Sequence, residues 1–143
     1  MLTNERKLQI EWGDCDPAGI VFYPRFFAIF DASTDRLLSA GLGMAKIHWA
    51  ARFGIVGIPM VKTGAEFHAP CRFGDEVVVQ SRIAGLRRSS FQVLHRLVRG
   101  ETLAVEAEET RVWTGRDPDD PAGIRAVPIP DEVAAIMRGE GGA

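Results

Sequence analysis

The sequence predicts an α+β fold in which one long helix lies on an antiparallel sheet. Three observations predict it. From Pro24 to Ala40, apolar residues recur with a 3.6-residue period and make a wide stripe. From Val56 to Trp113, strand-like segments follow one another at hairpin spacing. A stripe of that width is not stable alone and needs a sheet to cover it.

The elements follow in chain order. Residues around Lys7 to Trp12 read as a short first strand, because Leu8 and Ile10 alternate with polar neighbours. Gly13 to Gly19 is a loop by its Gly, Asp and Pro content. Pro24 suits the first turn of a helix, where its missing N–H costs nothing. On that helix Phe26, Phe30, Leu37 and Gly41 share one face, flanked by Phe27, Thr34 and Leu38, and Gly41 is the expected C′ residue. A second helix is predicted over Met44 to Arg52 and ends at Gly54. Val56 to Ala69 is a long strand interrupted by Gly57, Pro59 and Gly64, so a bulge or a close backbone approach is expected in it. Glu76 to Ala84, Ser90 to Arg99 and Thr102 to Trp113 complete the sheet, joined by a basic turn at 85–89 and by Gly100-Glu101. Gly115 to Pro121 reads as a loop, Val127 as a short edge segment and Pro130 to Met137 as a terminal helix, with Gly139 to Ala143 frayed.

Bulk properties narrow the function. A chain of 143 residues suits one domain with a real core, spanning residues 1–143 without a linker or repeat. The formal net charge of −2 gives no electrostatic reason to expect a nucleic-acid partner, so any anion site is a local cluster. No apolar run approaches the roughly 20 residues that span a membrane, and Met1 to Lys7 lacks the apolar segment of a signal peptide. A cytoplasmic protein without membrane association is expected. The spacing of Cys15 and Cys71 fits no zinc motif, and a reducing compartment argues against a disulfide. In the strand from Ser90, Phe91, Val93 and Leu97 share one face while Leu94 and Val98 occupy the other. One helix covers one face, so the remaining apolar surface and an open sheet edge predict self-association.

The chemistry concentrates in Gly13-Asp14-Cys15-Asp16-Pro17-Ala18-Gly19-Ile20-Val21-Phe22-Tyr23-Pro24. Carboxylates sit in a turn just ahead of a helix start, whose backbone N–H groups lack intrahelical acceptors and carry about half a positive charge. Such a carboxylate can attack a carbonyl or activate water, while the donors stabilise an oxyanion. Asp14 and Asp16 are the two candidate acids; Asp14 also suits a purely local role binding backbone N–H groups in the turn. Cys15 would need a base to act as a nucleophile, and His48, His68 and His95 lie far along the chain. His95, within a strand, reads as structural. There is no Gly-x-Ser-x-Gly elbow, glycine-rich phosphate loop or His-Glu metal motif.

The string from Gly13 to Pro24 and its continuation to Ser33 resembles the 4-hydroxybenzoyl-CoA thioesterase family of the hot-dog fold. The resemblance extends to Gly54-Ile55-Val56-Gly57-Ile58-Pro59, to Arg87-Arg88-Ser89-Ser90-Phe91 and to Ile124-Arg125-Ala126-Val127-Pro128. It implies a hot-dog domain that hydrolyses an acyl-CoA, with an aromatic, 4-hydroxybenzoyl-like acyl group. Coenzyme A belongs to the substrate and no separate cofactor or metal is implied. By the same resemblance Asp16 is the catalytic aspartate, as nucleophile or general base, and the backbone N–H of Tyr23 is the oxyanion donor. Asp31 is an acid that faces the acyl pocket or, with Arg36, a solvated helix face; Glu66 joins it as a pocket residue that departs from the neutral or apolar residues expected there. Arg87, Arg88, Ser90 and Arg125 are implied in coenzyme A binding, and guanidinium groups suit its phosphates. Dimers with sites at the subunit boundary, often paired as tetramers, are the implied assembly. A non-catalytic acyl-CoA sensor and a hot-dog hydratase stay open as alternatives.

Overall fold

In the computed structural model, which describes residues 1–140, a five-stranded antiparallel sheet wraps one long helix. The order is β1 (Thr3–Gln9), a 3-10 turn (Trp12–Asp14), α1 (Pro24–Leu42), α2 (Lys46–Phe53), β2 (Met60–Phe67), β3 (Glu76–Leu86), β4 (Ser90–Arg99) and β5 (Thr102–Val112). A hairpin, β6 (Thr114–Asp117) with β7 (Asp120–Ala126), and α3 (Asp131–Met137) complete it. The sheet runs β1-β3-β4-β5-β2, so the strand that follows the helices lies at an open edge. This is the hot-dog arrangement, with α1 against the inner face of the sheet.

The helix buries Phe26, Phe30, Leu37 and Leu38 from the 3.6-residue stripe read from the sequence, together with Ile29. Fully burying such a side chain contributes roughly 1.5–3 kcal/mol. Inward residues of the strands meet the stripe, among them Val77, Val79, Val93, Leu97 and Val105. Towards the far end of α1, Trp49 of α2 stacks on Trp113 at 6.0 Å and donates its indole N–H to Ser39. No helix is long and apolar enough to cross a membrane among the described residues.

Four details differ from expectation. The first strand lies earlier, at Thr3–Gln9, where it pairs antiparallel with β3 from Arg82 to Glu76, and Arg6 takes an inward position there and donates to the Ile29 carbonyl at 3.2 Å. Ile10 is fully buried but lies beyond the strand. Helix α1 runs past Gly41, and Gly43 at φ +69° provides the left-handed cap. Gly41 serves close packing instead: a Cβ there would lie 2.7 Å from Leu2 and 2.8 Å from Ile136. The strand expected from Val56 is shorter; a single bridge from Gly57 to Thr114 precedes β2, whose register shifts between Met60 and Lys62. The stretch 115–121 is a hairpin rather than a loop, with Asp117 and Asp120 carboxylates accepting the N–H groups of Asp119 and Ala122. Asp and Pro there mark only the tip. Of the expected fraying at Gly139 to Ala143, residues 141–143 lie outside the described residues.

Candidate active site

The loop before α1 is a tight antiparallel turn. Cys15 bridges to Val21, the Asp16 N–H donates to the Ile20 carbonyl at 3.0 Å, and the Phe22 N–H donates to the Asp14 carbonyl at 2.9 Å. Gly19, at φ +80°, makes the reversal that a residue with a Cβ would resist. Val21 then donates to the Cys71 carbonyl at 2.8 Å, which ties the turn to the segment before β3.

The two aspartates have different work. Asp14 accepts the Glu11 N–H at 2.9 Å and closes the 3-10 turn, the local role open to it from sequence. Asp16 accepts the Ala18 N–H through Oδ1 at 2.9 Å, while Oδ2 has no protein partner among the described residues. That half-buried carboxylate is oriented by one oxygen and available through the other. The Cys15 thiol donates to the Glu11 carbonyl at 3.7 Å, with no imidazole beside it. Cys71 is buried, and burial pushes its thiol up. Neither geometry activates a thiolate.

At the start of α1 the donors sort themselves. The Arg25 N–H is taken by the Phe22 carbonyl at 2.8 Å and the Phe26 N–H by the Tyr23 carbonyl at 3.1 Å. Pro24 has no N–H. The Tyr23 N–H is left, with no acceptor among the described residues. It lies at the positive end of a 19-residue helix. The Tyr23 ring is exposed and meets Phe22 and Phe67 edge-on, with centroids 5.7 and 6.3 Å away.

Two turns along α1, Asp31 is held from below. The Arg111 guanidinium reaches it at 2.7 Å from β5, while most of the carboxylate stays exposed. Arg36 plays no part; Asp35, the next acid on the helix, pairs with Lys46 at 2.9 Å. Arg111 is itself buried and donates to Glu109 at 2.9 Å and to the Ile58 carbonyl at 3.0 Å. Glu109 accepts further from Thr34 on α1. Since the Thr34 proton goes to Glu109, His95 Nε2 is the donor, its N–H shared between Thr34 at 3.1 Å and Glu109 at 3.4 Å, and Nδ1 lies 2.7 Å from the Ser81 hydroxyl. His95 stacks on Phe30 at 5.0 Å, fully buried and structural as its strand position suggested.

Sequence inspection missed this network, although a signal for it exists. Val105, Ala107, Glu109, Arg111 and Trp113 share one parity in a strand, so opposite charges at the third and fourth positions face the core together. Burial alone would raise the Glu109 carboxyl; hydrogen bonds from His95, Arg111 and Thr34 outweigh it and hold the group at about 2. Burial opposes the Arg111 charge as well, and Glu109 and Asp31 overcome it and raise its pKa.

Glu66 does not join Asp31. It pairs in register with Glu106, an outer-face position, whereas Phe67 faces inward against Phe26. Strand alternation therefore puts Glu66 on the side of the sheet away from α1. Arg87, Arg88 and Ser90 gather at the β3–β4 turn, where the Arg87 N–H donates to the Ser90 carbonyl at 2.8 Å. Arg87 and Arg88 are exposed and, with Arg138, line a cleft of about 560 Å³. Arg125 lies on β7, and the chain beyond it returns to this turn through an Ile129 N–H bond to the Arg88 carbonyl at 2.8 Å.

Comparison with known proteins gives the family and the fold. Residues 10–137 match the family model described as the thioesterase-like superfamily. The chain is 34% identical over 128 residues to the 4-hydroxybenzoyl-CoA thioesterase of Pseudomonas sp. strain CBS-3, covering 85% of this chain and 88% of that protein. The solved structure of that thioesterase superposes with a TM-score of 0.85 at 28% identity, covering 95% of this chain and 99% of the other. The gentisyl-coenzyme A thioesterase BH1999 superposes with a TM-score of 0.79 at 27% identity, over 94% of this chain and 99% of the other.

The depressed Glu109 pKa has a measurable consequence. A carboxylate held below its unfolded value stabilises the fold above that value and loses the contribution as pH falls through the folded one. For Glu109 the window runs from the ordinary 4.5 down to about 2. Glu109→Gln should therefore cost on the order of 3 kcal/mol at pH 7, with the gap to wild type narrowing below pH 4.5. Denaturant unfolding of both proteins from pH 7 to pH 2.5 checks this; a pH-independent gap would refute it.

Proposed function

The chain belongs to the thioesterase-like superfamily of hot-dog acyl-CoA thioester hydrolases, and from that premise we propose that Asp16 and the Tyr23 N–H carry out the hydrolysis, on an aromatic acyl group. The observation that carries the proposal is the unpaired Tyr23 N–H, the one donor left at a helix start that directly follows the Asp16 turn.

The thioester carbonyl accepts the Tyr23 N–H, and the helix dipole favours the negative charge that develops on its oxygen. The free oxygen of Asp16 either adds to the carbonyl carbon, giving a mixed anhydride that water opens, or takes a proton from an attacking water. In both routes the coenzyme A thiolate leaves. The Tyr23 side chain is not required for its backbone donor, so the amide can be constant while the ring shapes the entrance.

An aromatic acyl group is supported by the similarity to a 4-hydroxybenzoyl-CoA thioesterase and by Asp31. Asp31 Oδ1 is engaged by Arg111, and the remaining oxygen can accept a phenolic O–H. Arg87, Arg88 and Ser90, with Arg125 beyond them, are the proposed contacts for the coenzyme A phosphates. The proposed assembly is at least a dimer: β2 is an unpaired edge carrying exposed Met60, Val61 and Phe67.

Two experiments test this. Steady-state hydrolysis of 4-hydroxybenzoyl-CoA, benzoyl-CoA and acetyl-CoA should show the highest kcat/KM for the aromatic thioesters, and Asp16→Asn should lower kcat roughly 10²–10⁴-fold with the fold intact by circular dichroism. Wild-type single-turnover rates in that variant would remove Asp16 from the chemistry. Changing Arg87 and Arg88 together to Ala should raise KM roughly tenfold with little change in kcat, an effect that weakens as salt rises. The same variant should hydrolyse a truncated thioester lacking the nucleotide as wild type does. Equal losses on both substrates would make the turn structural.

A further inference from the structure

On the outer face of the sheet, away from the reaction site, three metal-ligating side chains converge. Glu66 and Glu106 are direct register partners on β2 and β5, which places their Cβ atoms about 4.5–5.5 Å apart on one face. His68 follows immediately after β2, where its backbone N–H donates to the Ala104 carbonyl at 2.8 Å. Two residues on from Glu66, its imidazole lies on the same side as the two carboxylates. His68 Nε2 lies 3.1 Å from a Glu106 oxygen and 3.9 Å from a Glu66 oxygen. One ligand atom from each residue falls within 4.8 Å of the others.

Apart from His68, no cationic side chain meets these two carboxylates among the described residues. Like charges directly opposite across a strand pair are destabilising. No lysine or arginine pairs with Glu66 or Glu106 among the described residues, and Arg96, the register partner of Glu106 on β4, makes no ion pair with it. An imidazole with two carboxylates is the donor set of Zn²⁺, Co²⁺ or Mn²⁺, not the all-oxygen set of Mg²⁺ or Ca²⁺. Zinc at about 2.0–2.2 Å from each ligand atom needs those atoms about 3.3–3.5 Å apart, a small rotamer adjustment for exposed side chains. The neighbouring groove, about 410 Å³ and lined by Gly64, Leu94 and Glu108 besides the two ligands, has room for metal-bound water.

We propose that Glu66, His68 and Glu106 form a surface site for a divalent transition-metal ion, with zinc or cobalt as the fitting ions, that ties edge strand β2 to β5. The site is independent of the hydrolytic reading. Its consequence is mechanical. Phe67, between two of the ligands, points the opposite way and packs against Phe26 and Phe27, with centroids 5.8 and 6.5 Å away. An ion on the outer face therefore fixes the edge strand whose inner side chain covers the start of α1. Ligand binding to the folded state alone raises its stability.

The test uses the full chain freed of metal by chelator dialysis. Isothermal titration with Zn²⁺, and with Co²⁺ followed by its visible absorption, should show one ion per chain at micromolar Kd. At a hundredfold excess over Kd, Zn²⁺ should raise Tm by roughly 5 °C or more, and Mg²⁺ should not. His68→Ala and Glu106→Gln should each weaken binding at least tenfold and remove the Tm shift, while leaving the apo Tm near wild type. No saturable binding below 1 mM, or binding unchanged in both variants, overturns the proposal.

Discussion

The structure depends on how α1 is seated, and the seating is set by the buried Glu109–Arg111 pair. Apolar contacts along the helix stripe drive its burial, but they tolerate repacking and fix no azimuth. The polar contacts are directional. Thr34 donates from the helix to Glu109, Arg111 reaches up to Asp31, and His95 lies flat under Phe30 while touching Thr34. Rolling the helix by one residue would separate Thr34 from Glu109 and leave a buried acceptor short of a donor, at a cost of about 1–3 kcal/mol. Every buried side-chain polar atom among the described residues has a partner, so this network stands complete under the helix.

That seating aims the helix start. Tyr23 lies on the same element as Thr34 and Asp31, so the direction of its N–H follows from contacts two and three turns away. The turn before it is fixed separately, by backbone bonds to Cys71 and within itself. Two rigid pieces thus meet at the junction of loop and helix. The proline at the first helical position leaves a single free donor there, and Asp14 closes the 3-10 turn while Asp16 binds the loop through one oxygen and keeps the other free. Electrostatic preorganisation of this kind costs no reorganisation when charge develops.

The long helix and the antiparallel sheet were legible because their signals are periodic and extended. The stripe from Phe26 to Leu38 and the shared face of Phe91, Val93 and Leu97 appear in the structure. Gly41 was misread because a glycine near a helix end suggests a cap, while its contacts with Leu2 and Ile136 come from segments distant in sequence. Glu66 was misplaced for a related reason: which face of β2 a residue occupies depends on a register set by the shift between Met60 and Lys62. Glu109 and Arg111 were readable in principle from their parity with Val105 and Trp113, but charged residues in strands are ordinarily assigned to solvent. The Asp14–Asp16 division of labour needed the hydrogen bonds themselves.

The central claim is that the Tyr23 N–H receives the carbonyl oxygen of a thioester placed beside Asp16. A crystal structure of the Asp16→Asn variant with bound 4-hydroxybenzoyl-CoA tests it directly. The carbonyl oxygen is expected about 2.7–3.1 Å from the Tyr23 nitrogen, with the residue-16 side chain facing the carbonyl carbon. A carbonyl bound elsewhere, with the Tyr23 N–H still unpaired, would contradict it.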